Sequence, residues 1–150
     1  YNAFYMYTLS SAIVLQKQEN TEQETLHLLL LYDDSTCTYY FPKCYVNHGD
    51  VMQDMLVQEV QESTGATILV HNYVSFIASS MVHENAKIRK KTHYFAAEYT
   101  GGELCVKEGF LGRVCFYTVP EALALLQFQG VHTLGFEDEY ALLKQYSETI

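Results

Sequence analysis

Residues 51–64, VMQDMLVQEVQEST, limit most strongly what this chain can become. They carry an amphipathic helical pattern, stopped by Gly65 as a C-terminal glycine, between segments rich in aromatic and β-branched residues. At roughly 100° per residue, Met55, Met52, Leu56 and Val60 define one apolar arc. Glu59 and Ser63 fall inside that arc, and Glu62 sits on its border. Gln53, Asp54, Gln58 and Gln61 take the solvated side. A carboxylate that points where apolar side chains point needs a cation, several N–H donors or a metal. Positions i, i+3 and i+4 share a helix face, so Glu59, Glu62 and Ser63 converge as an oxygen-only set. Such a set suits a hard ion, Mg²⁺ or Mn²⁺, held jointly by protein and phosphate. The plain alternative is a glutamate paired with a lysine or arginine of a sheet, with no metal.

Around this helix the patterning is mostly strand. Residues 3–16, 25–33, 66–80, 87–99 and 113–119 read as strands, and CTYYF as a short extended piece. QKQENTEQE is expected to be a polar hairpin loop, DDST and NHGD turns, and TGGE at 100–103 a hairpin turn. Asp50 is placed to cap the first helix or serve as its first-turn acid. Pro120 opens a second helix at the favoured first position, and 136–148 form a third, acids first. Strands, helix, strands, helices implies an α/β or α+β domain with helices on the faces of one mixed sheet. The 150 residues fit a single domain spanning 1–150 with a sizeable core.

A chain that is 49% hydrophobic and 18% charged has a globular composition. Its net charge of −9 argues against a general nucleic-acid-binding surface. It does not argue against a small anionic ligand, whose site depends on local charge. Lys87, Arg89, Lys90 and Lys91 fall within five positions, either a solvated loop or edge strand, or a phosphate-facing patch. Cys37, Cys44, Cys105 and Cys115 form no C-x-x-C pair, which argues against zinc. Free thiols in a reducing, cytoplasmic compartment are expected. The apolar run LHLLLLY is far too short to span a membrane, so no membrane partner is expected. Tyr1 in place of an initiator Met is what a trimmed domain or processed product would show.

The stretch from Cys44 to Ala66 resembles the signature of the Nudix (MutT-like) hydrolases, G-x5-E-x7-R-E-U-x-E-E-x-G-U with U a bulky apolar residue. The frame fits without a gap. Cys44 stands at the first Gly, Asp50 at the first Glu, Gln58 at the Arg, Glu59 at the next Glu and Val60 at U. Glu62 and Ser63 stand at the Glu-Glu pair, Gly65 at the Gly and Ala66 at the last U. YYFPKC is similar to the family's lead-in, SSAIVL to its first strand, and KKTHYFAAEYTGGE to the strand and turn downstream, so the likeness covers nearly the whole chain. It implies an α/β/α sandwich around a mixed β-sheet and Mg²⁺-dependent hydrolysis of a nucleoside diphosphate linked to another group. It ranks dinucleoside polyphosphates first among substrates.

The resemblance assigns metal holding to Glu59 and Glu62. Glu108, on a loop outside the box, is expected as a third ligand or as the base that activates water. Lys43, Lys90 and Lys91 are candidates for phosphate contact, and Tyr45, Tyr94 or Phe4 for stacking on a base. Three departures bear on catalysis. Ser63 replaces a carboxylate ligand with a neutral hydroxyl. Gln58 offers only a neutral hydrogen bond where the family's Arg makes a charged one. Cys44 adds a side chain where glycine lets the backbone bend, and is tolerable only at negative φ. Weakened or lost catalysis is therefore expected. The alternative is a non-catalytic module binding a nucleotide, an RNA end or a protein partner.

Overall fold

The computed structural model describes residues 3–20, 23–127 and 138–150. Strands β1 (Ala3–Asn20), β2 (Gln23–Asp33), β3 (Thr38–Tyr40) and β4 (Lys43–Tyr45) precede helix α1 (Met52–Thr64). Strands β5 (Thr67–His83), β6 (Ala86–Gly101) and β7 (Gly112–Thr118) follow, then α2 (Val119–Gln127) and α3 (Glu139–Ser147). The sheet runs β3-β2-β1-β6-β5, with β4 paired to β1 and β7 to β2. Among the described residues β1 and β6 pair in parallel and the other pairs are antiparallel. This is the mixed sheet expected from the element order.

Strand alternation sends successive side chains to opposite faces and so makes two cores. Ala12, Val14, Leu29, Phe95 and Ala97 meet Leu56 and Val60 of α1 on one face. Ile13, Leu28, Leu30, Phe41 and Tyr94 meet Ala122 and Leu126 of α2 and Leu142 and Leu143 of α3 on the other. The result is an α/β/α sandwich. Leu28, Leu29 and Leu30 are all at most 1% exposed, which explains the unbroken apolar run in β2: its strand is covered on both sides. Each such side chain contributes about 1.5–3 kcal/mol. No helix among the described residues is long and apolar enough to cross a membrane.

The first helix ends where Gly65 requires. Gly65 takes φ 79°, the left-handed conformation, and its N–H bonds to the Gln61 carbonyl. A Cβ there would sit 2.0 Å from the Glu103 carbonyl oxygen, and one on Gly102 would sit 2.2 Å from the Gly65 oxygen. The two glycines let the end of α1 and the chain leaving β6 touch backbone to backbone. Cys105 N–H then bonds to the Thr64 carbonyl at 2.9 Å, so the loop after β6 clasps the C-terminus of α1.

Several local expectations are corrected. Asp50 does not cap α1: the cap position is Val51, without a side-chain cap, and the Asp50 carboxylate instead accepts from Asn47 N–H in the preceding turn. TGGE does not turn a hairpin, because the next strand, β7, pairs with β2 rather than with β6. The hairpin turn in this region joins β5 to β6. That turn is Glu84–Asn85, both at positive φ (49° and 61°), as a two-residue primed turn demands. The first two strands run longer than expected, β1 continuing to Asn20 and β2 beginning at Gln23. Helix α2 begins one residue before Pro120. Thr118 and Glu121 cap it reciprocally, each side chain accepting from the other's backbone N–H. The expected start of the third helix at 136 lies outside the described residues, as does Phe128, where the sequence pattern of the second helix, PEALALLQF, ends.

Candidate functional site

Helix α1 presents the arc its sequence implied. Leu56, Val60 and Thr64 are buried, Met52, Met55, Glu59 and Ser63 are half-buried, and Glu62 is exposed. Thr64 lies outside the expected arc and is tolerated there because its hydroxyl donates to the Val60 carbonyl and accepts from Ala66 N–H. Glu59 is drawn toward the core without a donor: no hydrogen bond or ion pair to its carboxylate is found among the described residues. Burial first, and then the neighbouring charge of Glu62, push its carboxyl up from the usual range, while Lys107 pulls it down. The alternative of a glutamate neutralised by a sheet lysine or arginine is therefore not what the structure has; the cation facing Glu59 comes from the loop that clasps α1.

The box departures have visible consequences. The Ser63 hydroxyl is engaged within its own helix, where it donates to the Glu59 carbonyl at 2.8 Å. Gln58 Nε2 donates to Glu62 Oε1 at 3.1 Å, so the position of the family's arginine still steadies a glutamate, by a neutral bond. Cys44 is not among the described residues with positive φ, which is the condition for a side chain there. Its thiol lies 3.2 Å from Ser10 Oγ, and burial, then Glu59 and Asp50, hold it in the protonated form by raising its pKa. Cys44, Asp50, Glu59 and Glu62 are thus one neighbourhood, gathered by β4 and α1.

The other candidates divide. Strand parity places Lys91, opposite Thr8, and Phe4 on the α1 face. Tyr45 pairs with Leu9, Lys43 with Ser11, and Lys90 with Tyr7, all on the opposite face. Tyr94 is corrected outright as a stacking residue. It is fully buried in the second core, and its hydroxyl donates to Glu139 Oε2 at 2.6 Å. Lys43 is committed to the same carboxylate at 2.9 Å. Glu139, which the sequence reading passed over, also accepts from Phe41 N–H at 3.1 Å and is 2% exposed. Its only sequence signal was an acid at the start of an amphipathic helix, which reads equally as a solvated first-turn residue.

Glu108 is exposed on the loop after β6, and it is Lys107, one residue earlier, whose charge reaches Glu59. Among the described residues no three His, Cys, Asp or Glu side chains are grouped as metal ligands. Glu59 and Glu62 nevertheless fit a hard divalent cation. They are two adjacent carboxylates, one half-buried without a donor, and Mg²⁺ is commonly held by one or two carboxylates with waters and substrate phosphate completing its shell.

No protein-family model matches the chain, and no curated protein sequence does. Solved structures do. An Ap4A hydrolase from C. elegans superposes with a TM-score of 0.69 at 13% identity, covering 95% of this chain and 96% of that one. A Nudix hydrolase from Nitrosomonas europaea gives 0.67 at 14%, over 95% and 89%. The MutT protein of Methanosarcina mazei Go1 gives 0.65 at 12%, over 99% and 97%. With a mixed sheet between α1 and the α2–α3 layer, matched over nearly its whole length, the chain has the Nudix-hydrolase fold.

Proposed function

We propose that the protein binds a nucleoside diphosphate derivative through a divalent cation at Glu59 and Glu62, and hydrolyses it slowly at most. The observation that carries this reading is the Glu59 carboxylate, half-buried near Glu62 with no donor among the described residues, while the hydroxyl of Ser63 is spent inside the helix. The fold is shared with hydrolases of Ap4A, which makes dinucleoside polyphosphates the first ligands to try. An ADP-ribose pyrophosphatase from Streptococcus suis shares it as well, at a TM-score of 0.59.

The bound cation would neutralise phosphate charge as it develops in the transition state. The chain's own residues do the rest. Glu59 and Glu62 hold the cation, and Gln58 fixes Glu62 for that task. The positive charge of Lys107 acts on Glu59 and favours its ionised form. Glu108, exposed on the same loop, is the residue available to take a proton from water. Replacing one of three carboxylates by serine takes away an electrostatic element whose loss is typically about 10²-fold in rate or more.

The test is calorimetric titration of diadenosine tetraphosphate and ADP-ribose with Mg²⁺ or Mn²⁺, beside a chromatographic assay of turnover. We expect metal-dependent binding abolished by Glu59→Gln, with little or no product. Ser63→Glu should raise turnover by roughly 10²-fold. Absence of metal-dependent nucleotide binding in the unmodified protein would overturn the reading.

A further inference from the structure

Beyond the edge of α1 the sheet continues as a three-stranded wing: residues 3–8 of β1, 86–91 of β6 and 78–83 of β5. Its sequence segments, AFYMYT, AKIRKK and ASSMVH, contain no acidic residue in a chain with 18 Asp and Glu. They hold four of its nine Lys and Arg. Strand register sorts these cations. Lys87 lies opposite Phe4 and Val82, Arg89 opposite Met6 and Ser80, and Lys91 opposite Thr8 and Ala78, all on the α1 face; Lys90 alone lies on the other. On the central strand the three cations are therefore spaced at about 6.6 Å, every second residue of a strand.

Large apolar side chains flank that row. Phe4 is 53% exposed, Met6 72% and Phe76 49%. The Arg89 guanidinium lies 5.6 Å from the Phe4 ring centre, and the Lys91 ammonium 4.3 Å from that of Phe76. A hollow of about 350 Å³ opens in the wing, lined in part by Met6, Arg89 and Lys91. Cations at a regular interval beside exposed rings, on an open strand surface, are the two elements of a single-strand platform: charge that tracks phosphates and faces on which bases stack.

We infer that the α1 face of this wing binds single-stranded nucleic acid. A mononucleotide offers phosphate at one end only, whereas the row repeats its cation three times in line. The row also leads inward. The next residue of the same parity on β6 is His93, which pairs with Ser10, and Ser10 lies against Cys44 and the Met52 carbonyl at the start of α1. A strand laid along the wing thus runs toward Cys44 and the start of α1, the helix that carries Glu59. A second copy of this chain fits the face less well, because a two-fold contact through it would bring like cations together. The net charge of −9 argues against a general nucleic-acid surface, and the wing is the local exception to it.

The test uses fluorescence anisotropy of short labelled oligouridine and oligothymidine, with EDTA present so that the result is independent of the proposed metal site. At 50 mM salt we expect binding that weakens steeply by 200 mM, as counterion release requires. The double variant Arg89→Glu, Lys91→Glu should lose at least tenfold in affinity and flatten the log–log salt slope by about 1.4. Phe76→Ala should lose fivefold or more with the slope unchanged. Lys144→Glu, on α3, should change neither. Circular dichroism and melting curves establish that each variant is folded. The inference falls if no oligonucleotide binds at 50 mM salt. It falls equally if heparin binds as tightly and Phe76→Ala has no effect, which would mark a plain polyanion surface. It falls, too, if sedimentation shows a dimer that the wing variants dissociate and oligonucleotide does not.

Discussion

Glu139 and Glu59 are carboxylates drawn in from solvent by helices on opposite faces of one sheet, and their surroundings treat them in opposite ways. Glu139 is met by a backbone N–H, a lysine ammonium and a tyrosine hydroxyl, so its charge is fully answered. Glu59 has no donor among the described residues, only a like charge in Glu62 and the opposing charge of Lys107. The first arrangement joins β4, β6 and α3 into a rigid layer. The second leaves electrostatic demand that a ligand or cation can meet. The difference shows that inward direction alone does not separate a structural acid from a candidate ligand; the partners each carboxylate meets do.

Breaking the Glu139 side of the comparison should have the largest effect on stability. Glu139→Ala takes the shared carboxylate away from Lys43, Phe41 N–H and the Tyr94 hydroxyl and should cost about 3–5 kcal/mol, read from urea unfolding. Tyr94→Phe removes one hydrogen bond to a charged group and should cost about 1.5–3 kcal/mol. If either change proved neutral, Glu139 would not be the pin that its three donors indicate.

Changing the Glu59 side should do the reverse. Glu59→Gln removes a charge that burial and Glu62 disfavour, so at neutral pH the metal-free protein should be as stable as the parent or more so. The sign follows from linkage. The folded carboxyl lies above its unfolded value, so the folded state holds the proton more tightly. The stability this lends is fully present below the unfolded value and is lost as pH rises through the folded one. The advantage of Glu59→Gln should therefore appear in that window and vanish below it, as checked by urea unfolding of both proteins at neutral pH and near pH 4. Mg²⁺ affinity of the parent should fall over the same descent in pH, because the cation needs the carboxylate.

How far the sequence foretold these two regions depends on whether the deciding interactions were local. Helix α1 was legible to within a residue because a 3.6-residue pattern and a stop glycine are local signals, and so was the inward direction of Glu59. The Asp50 error is also local: Asn47 N–H, three residues back, competed successfully for the carboxylate. Glu139 was not legible, because its donors lie 98, 96 and 45 residues away. The faces of Tyr45, Lys43 and Lys90 were hidden for a related reason. Parity relative to the core is set by pairing with β1, and a single shift in register reverses it. The hairpin at Glu84–Asn85 was missed because its two residues include no glycine to mark the turn. The glycines of TGGE do mark a turn, but they close no hairpin. Those glycines instead serve the contact between Gly102 and Gly65.

The finest distinction concerns two adjacent residues on the loop that clasps α1. The family resemblance pointed to Glu108, whereas the charge that reaches Glu59 is that of Lys107. Both are exposed, so the effects should be those of screened surface pairs, about 0.2–1 kcal/mol. If a cation is held at Glu59, Lys107 repels it, and Lys107→Gln should raise Mg²⁺ affinity by about twofold to fivefold, read by titration calorimetry. Glu108→Gln should lower that affinity by less, since no influence of Glu108 on Glu59 is seen. A large loss on Glu108→Gln would mean that the loop turns when metal binds and brings its carboxylate to α1. The donor-poor side of the molecule would then be completed from the same loop that supplies Lys107.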